Sequence, residues 1–452
     1  MKKVFLFFTL FSSVSLLAQK ADSLDIQKIK AEIKQELREE LKTEIKNDFT
    51  KENKSLFSWS NFTLSGYGVV NYYNYTKYDT DLNIKDKFDP ERLNLYLNYE
   101  FNSWIKLKTE IEFEHGGTGA TIELDTQEEF GEYEQEIESG GEVKLEQLYL
   151  DFSIHPAFNV RAGRMKIHFG LAQNLDRPTS YFTTHRQEME NEILPLGWYE
   201  NGLQFYGKFW KNRLLYEVSI TSGLDASGFS SRGWIKDGYQ QRFEMSVGES
   251  LAYTLRLDYK FGAHKNTYAG MAFYVNDAAA NRPKNDMDKS AYVKIIEAHI
   301  TYNEKHIRFN AIGLYGDIEN SDLVTRKNAS LSNNLGVKRT PVGKKAVGVS
   351  AEIGYEVLHF IKVDAKQQVY PFVRYDYYDT MYETEGAVVK KPRWERNAAT
   401  AGINWLITPN IVAKAHYQSR TLGSEHFDPI TSLGTGKKQK ENTFSAGIAF
   451  SF

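Results

Sequence analysis

The sequence predicts an all-β fold: a transmembrane antiparallel β-barrel of about sixteen strands, preceded by a short N-terminal coiled-coil helix. Three observations predict it. From about Phe62 to Phe452 apolar and polar residues alternate with period two. The connections between these segments alternate between short and long. After an export-type leader, no run of roughly 18 apolar residues follows, as a membrane-spanning helix needs.

The leader comes first. MKKVFLFFTLFSSVSLLAQK has a charged start, an apolar run from Val4 to Phe11 and a small-residue end. This is the pattern of a cleaved signal peptide over residues 1–18, with Ala18 just before the cut. The chain has no cysteine, which excludes disulfides, thiolate metal ligands, a cysteine nucleophile and a lipid anchor on cysteine. A net charge of -3 without a basic stripe gives no footing for nucleic acid. With 28 Tyr and 28 Phe among otherwise polar segments, the composition suits strands that meet water on one face and lipid on the other.

Residues 22–56 have a different period. Ile26, Ile29, Ile33, Leu37, Leu41, Ile45 and Phe49 recur every three or four residues among Lys and Glu, with no Gly or Pro. So narrow an apolar stripe must be covered, and self-association as a coiled coil covers it. The spacing is looser than a strict heptad, so the supercoil is expected straight or slightly right-handed. The expectation is a short periplasmic stalk, trimeric by preference. A single solvated helix lying on the barrel is the alternative.

The strands then run over residues 60–452. RLNLYLNYEF sets Leu93, Leu95, Leu97, Tyr99 and Phe101 against Arg92, Asn94, Tyr96, Asn98 and Glu100. EQLYLDFSI and LAYTLRLDYKF repeat the pattern. The final TFSAGIAFSF ends on Phe452, the form of a recognition signal for outer-membrane barrel assembly machinery. Short connections fall at Asn102-Ser103, His155 to Ala157, Lys211-Asn212, Gly262 to Lys265 and Thr408-Pro409. Long ones fall at about 76–90, 115–143, 169–199, 222–250, 276–291, 317–345, 379–395 and 421–442. Eight long loops imply eight hairpins and about sixteen strands, with both chain ends on the short-turn side.

Chemistry is sparse. There is no Gly-x-Ser-x-Gly elbow, no HExxH and no phosphate-binding loop, so no enzyme, cofactor or metal site is expected. In VRAGRMKIHFG, Arg164, Lys166 and His168 share one face opposite Met165, Ile167 and Phe169. A charge on the lipid face costs about 2–4 kcal/mol at the midplane, so this row is assigned to the lumen. Lys106, Lys108, Lys208, Arg256, Arg308 and Arg374 are further lumen candidates. Glu110, Glu112, Asp151 and Asp258 fall on the same faces and largely neutralise the row. The third long loop, about 169–199, is a candidate to fold into the pore. It carries Arg177, His185, Arg186, Glu188, Glu190 and Glu192, then Ile193, Leu194 and Trp198 to pack it against the wall. Basic wall and acidic loop would then set a transverse field across the opening. The second loop, Glu123 to Glu146, is strongly acidic and reads as a solvated charge run, with no calcium-loop spacing.

GRMKIHFGLAQNLDRPTSYFTT and ILPLGWYENGLQFYGKFWKNRLLYEVSITSGLD resemble the phosphate-selective porin O/P family and its relatives in Bacteroidetes-type bacteria. The resemblance covers residues 145–260 and rests on a Gly-Arg/Gln-x-Lys-x-x-x-Gly strand before a Pro-containing loop. It implies a sixteen-stranded, commonly trimeric diffusion channel whose third loop narrows the pore. The functional expectation is an outer-membrane porin for passive diffusion of small hydrophilic solutes, including anions such as phosphate. Its partners would be outer-membrane lipid and lipopolysaccharide, two further copies of itself and the assembly machinery. The alternative is a structural barrel whose stalk engages periplasmic partners or cell wall.

Overall fold

The computed structural model describes residues 59–117, 123–129, 132–136, 141–172, 174–195, 197–240, 245–263, 266–331, 339–361, 367–424 and 436–452. The expected leader, 1–18, and the stalk stripe from Ile26 to Phe49 lie outside the described residues.

Among the described residues the strands are β1 (Phe62–Tyr78), β2 (Lys87–Glu100), β3 (Ile105–Glu114), β4 (Glu123–Glu129), β5 (Glu132–Glu136), β6 (Glu142–His155), β7 (Phe158–Lys166), β8 (Tyr199–Phe209) and β9 (Leu214–Ser222). Then follow β10 (Leu251–Lys260), β11 (Tyr268–Asp277), β12 (Tyr292–Glu304), β13 (Ile307–Ile318), β14 (Lys345–Tyr355), β15 (Gln368–Glu383), β16 (Glu395–Thr408), β17 (Ile411–Leu422) and β18 (Lys440–Ser451). All except β4 and β5 pair with their chain neighbours in one closed antiparallel barrel of sixteen strands. β1 and β18 close it through register pairs from Tyr67↔Ser451 to Tyr78↔Glu441. The seam ends in reciprocal backbone bonds, Gly66 N to Phe452 O at 3.0 Å and Phe452 N to Gly66 O at 2.9 Å. Gly68 admits the Phe450 ring there, since a Cβ would stand 2.6 Å from its Cζ.

The pleat sorts the side chains. In β12, Ile296 is exposed while its sequence neighbours Ile295 and Glu297 are buried. Outward Phe273, Ile296 and Tyr315 sit side by side across β11, β12 and β13. Leu93, Leu148, Leu203, Val349, Val373, Ile403 and Ile448 continue this exposed apolar band around the wall. Aromatic residues gather where strands meet the short turns, with Phe101, Trp104, Phe158, Phe209, Trp210 and Phe261 all exposed. An apolar band edged by aromatics is the surface a barrel presents to lipid.

Two features differ from the sequence reading. The first long loop shrinks to residues 79–86, because Tyr-rich polar sequence continues β1 to Tyr78. The acidic second loop contains the β4–β5 hairpin. Short helices α1 (Glu188–Ile193) and α2 (Ser321–Ala329) lie in the third and sixth long loops.

An arginine placed in the outward band should be costly only if that band meets hydrocarbon. Ile296→Arg is expected to lower folding stability in lipid bilayers by about 2–4 kcal/mol. The same change at Leu82, in the first loop, should be neutral in the same denaturant titration.

Candidate functional site

After β7 the chain does not cross directly to β8. Residues 167–198 enter the barrel and bond to its inner wall. Two carboxylates anchor them. Asp176 accepts from Lys166 Nζ at 2.9 Å and Tyr67 Oη at 3.1 Å through Oδ2. Its Oδ1 meets Arg92 Nη1 at 3.2 Å and Arg186 Nη1 at 3.0 Å. Burial alone would raise this carboxyl, but Lys166, Arg186 and Arg92 together hold it well below the usual carboxylate range. Glu188, at the start of α1, takes a two-pronged bond from Arg420, at 2.6 Å and 2.9 Å, and a third from Tyr378 Oη at 2.6 Å. Planar guanidinium against carboxylate fixes direction as well as distance.

Between these anchors the wall donates to the loop's backbone. Lys414 Nζ reaches Tyr181 O at 2.9 Å and Thr183 O at 2.7 Å. Asn404 reaches Phe182 O at 3.0 Å, and Arg308 reaches Ser180 O at 2.7 Å. Arg256 donates to Gly170 O at 2.7 Å and His168 O at 3.2 Å. Arg374 donates to Thr183 Oγ1 at 2.8 Å. An irregular segment away from bulk water needs partners for its carbonyls, and these side chains supply them.

Apolar contacts complete the seat. Inward glycines of β13 and β14 receive bulky loop side chains. A Cβ on Gly354 would stand 2.4 Å from Phe182, one on Gly348 2.5 Å from Met189 Sδ, and one on Gly316 2.0 Å from Trp234 of the fourth loop. Phe182 stacks on Phe372 with centroids 5.1 Å apart, under the Arg308 guanidinium. Ile193, Leu194 and Trp198 are buried with Leu224, Phe229 and Trp234, so the third and fourth loops share one core inside the barrel.

The residues singled out in the sequence divide into three groups. Lys166, Arg256, Arg308, Arg374, Arg186 and Glu188 all serve the loop, and His168 joins them through Glu217 at 2.9 Å. Lys106, Lys108 and Lys208 stand nearer the short-turn end, where Lys106 pairs with Glu100 at 2.5 Å. Arg164 and Arg177 stand apart from the anchors. Arg164 lies in the ladder between Leu148 and Asn201, both exposed, and donates to Glu146 O. Arg161 takes the lumen position on β7 instead, meeting Gln204 and Glu217. Arg177 is exposed. Glu188 and Glu192 touch Arg420 and Arg396 directly rather than facing them across an opening, and Glu190 accepts the backbone N–H groups of Leu171 and Ala172. Sequence reasoning missed Asp176, Arg92, Asn404, Lys414 and Arg420. Lys414, His416, Gln418 and Arg420 do alternate along β17, which was the available signal.

Two water-accessible spaces flank the loop. On the long-loop side a cavity of about 170 Å³ is lined by Glu112, Glu114, Glu146 and Asp237 against Lys144, Arg186 and Lys236. At the short-turn end a vestibule of about 1000 Å³ is lined by Thr179, Ser180, His306, Arg308, Glu356 and Tyr370.

No family model matches the chain. An uncharacterised protein of Aquifex aeolicus is 26% identical over 358 residues, 78% of this chain and 74% of that one. Among solved structures, OprB of Pseudomonas putida is similar at a TM-score of 0.51 and 9% identity, covering 87% of this chain and 94% of its own. The outer membrane channel DcaP of Acinetobacter baumannii is similar at a TM-score of 0.50 and 13% identity, covering 87% and 99%. At these identities the likeness is one of fold: this chain has the barrel architecture of outer-membrane channels.

Removing Asp176 leaves three cations crowded together with one buried counterion gone. Asp176→Ala should therefore cost about 3–5 kcal/mol, seen as a lower thermal transition of the detergent-solubilised barrel and new protease cleavage within 177–187. Because the folded carboxyl is depressed, its contribution is fully present above the ordinary carboxylate pKa of about 4 and is lost only as pH falls below it. Wild-type protein should thus keep the loop protected at pH 5.

Proposed function

We propose that the protein is an outer-membrane porin, a passive channel for small hydrophilic solutes narrowed by its third loop. One observation carries this reading. Residues 167–198 are pinned to the inner wall, while charged, water-accessible spaces remain on both sides of them. A barrel serving only as a scaffold has no need of a polar interior with an ordered loop across it. The fold shared with outer-membrane channels, the apolar band and the aromatic edge support the same location. The long loops then face outward and the short turns the periplasm.

For selectivity the wall argues a mixed-charge opening rather than a dedicated phosphate path. Arg256, Arg308 and Arg374 are engaged with loop atoms, so their charges hold the constriction instead of lining a free anion ladder. Four carboxyls face three cations around the cavity above the loop, and opposed charges at close range orient and filter small ions without binding them tightly. Phosphate remains within the solute class on the strength of the family resemblance over 145–260. We assign a homotrimer as the assembly, with the stripe Ile26 to Phe49 as its periplasmic stalk.

Planar-bilayer recording tests the channel: discrete current steps are expected, and electrically silent barrel would sink the proposal. Glu112→Gln with Glu114→Gln removes negative charge from the cavity and should move the reversal potential toward anions. Deleting 22–56 should weaken a trimer on native electrophoresis, and unchanged assembly would reduce the stalk to a spacer.

A further inference from the structure

At the short-turn end, two neighbouring turns bring together a group that the pore does not use. His306 ends the two-residue turn between β12 and β13, and Glu356 and His359 follow β14. We propose that His306, Glu356 and His359 form a binding site for a divalent transition-metal ion of the zinc class on the rim of the vestibule.

The donor set is two imidazoles and one carboxylate, which suits such an ion and leaves a coordination position for water. Their ligand atoms all lie within 4.8 Å of one another. Both Nδ1 atoms converge on one oxygen: His306 Nδ1 is 3.5 Å and His359 Nδ1 3.4 Å from Glu356 Oε2. Ligands at 2.0–2.1 Å from a tetrahedral centre stand about 3.3–3.4 Å apart, the spacing that both imidazole nitrogens already keep from this oxygen.

Independent features hold the group in place. Glu356 is buried, and its Oε1 accepts the Leu358 N–H at 2.7 Å and its Oε2 the His359 N–H at 3.2 Å, which fixes the carboxylate and leaves Oε2 a further lone pair. Tyr355 Oη lies 3.3 Å from His359 Nε2, the kind of outer partner that orients a ligating ring. The two imidazoles stack with centroids 4.0 Å apart and planes 15° apart. An ion held by both would draw the rings out of this parallel stack, so that both in-plane lone pairs point at it.

The turn itself adds an observation. Lys305 and His306 have φ of 49° and 69°, the left-handed conformation for which such turns favour Asn-Gly. Asparagine adopts this conformation readily, so His306 can be exchanged for it without disturbing the turn. His306 is about half exposed, so an ion can enter from the periplasm or the vestibule. His359 Nδ1 also contacts Glu356 O, a contact that a bound ion would replace. None of this depends on which solutes cross the barrel.

The test is metal titration of the full-length protein, folded in detergent and free of any histidine tag. Co(II) should give one saturable equivalent with the visible bands of a four- or five-coordinate ion, displaced by Zn(II). His306→Asn, which tolerates the left-handed backbone, and His359→Asn should each lose that equivalent while keeping the heat-modifiable migration of a folded barrel. His155→Asn, on a different turn, should bind as wild type does. Absence of saturable binding by the wild type, or retention of the equivalent in either site variant, overturns the proposal.

Discussion

Everything in this molecule depends on the seam between β1 and β18. In hydrocarbon an unpaired backbone N–H or C=O costs several kcal/mol, so a sheet can cross a bilayer only without edges. The paired termini at Gly66 and Phe452, with phenylalanine rings lying over glycines, remove the last two edges. Once closed, the sheet has an inside of fixed circumference. A sixteen-stranded inside is too wide for wall side chains alone to fill. The remaining space must hold water or chain, and the third and fourth loops take a share of it.

How they are held follows from what an irregular segment lacks. Residues 170–184 have few backbone partners of their own, so their carbonyls turn to the wall, where Lys414, Asn404, Arg308 and Arg256 meet them. Arginine and lysine suit this duty because they carry only donors. Asp176 and Glu188 bring the balancing charge from the loop itself, so cations that would repel one another across a low-dielectric interior are neutralised where they stand. Glycines at 316, 348 and 354 provide recesses without which Trp234, Met189 and Phe182 would collide with the sheet.

The barrel was legible because its two solvents impose period two on the chain, and the eight long connections count the hairpins. The acidic hairpin β4–β5 was not legible, since neither of its faces is apolar and no alternation marks it. Within the site, Arg256, Arg308 and Arg374 could be placed from the inner face of their strands, whereas Lys166 shares the face of Arg164 on β7 and reaches Asp176 only because the strand ends there. Arg164 could not be read safely: β7 ends at Lys166, where the chain bends inward, so a face drawn from Arg164 through His168 runs past the end of the strand. Arg161 is the residue that the pleat turns to the lumen. Asp176 and Tyr181 sit in a segment without period, and their importance appears only when strands far along the chain come back to meet them. A row such as Gly348, Ser350, Glu352 and Gly354 shows small inward residues, but nothing local says what they receive.

The anchors of the third loop also impose an order on biogenesis. Glu188 waits for Arg420, 232 residues later, and Tyr181 for Lys414, 233 residues later. Strands β13 to β17, which carry most of the loop's partners, are the last but one group to be synthesised. The loop therefore cannot complete its docking until those late strands are present. Docking it and zipping the seam become one late, long-range event, with the slow kinetics that non-local pairing brings. A chain truncated before β17 loses not only its closing strands but the means of folding its interior.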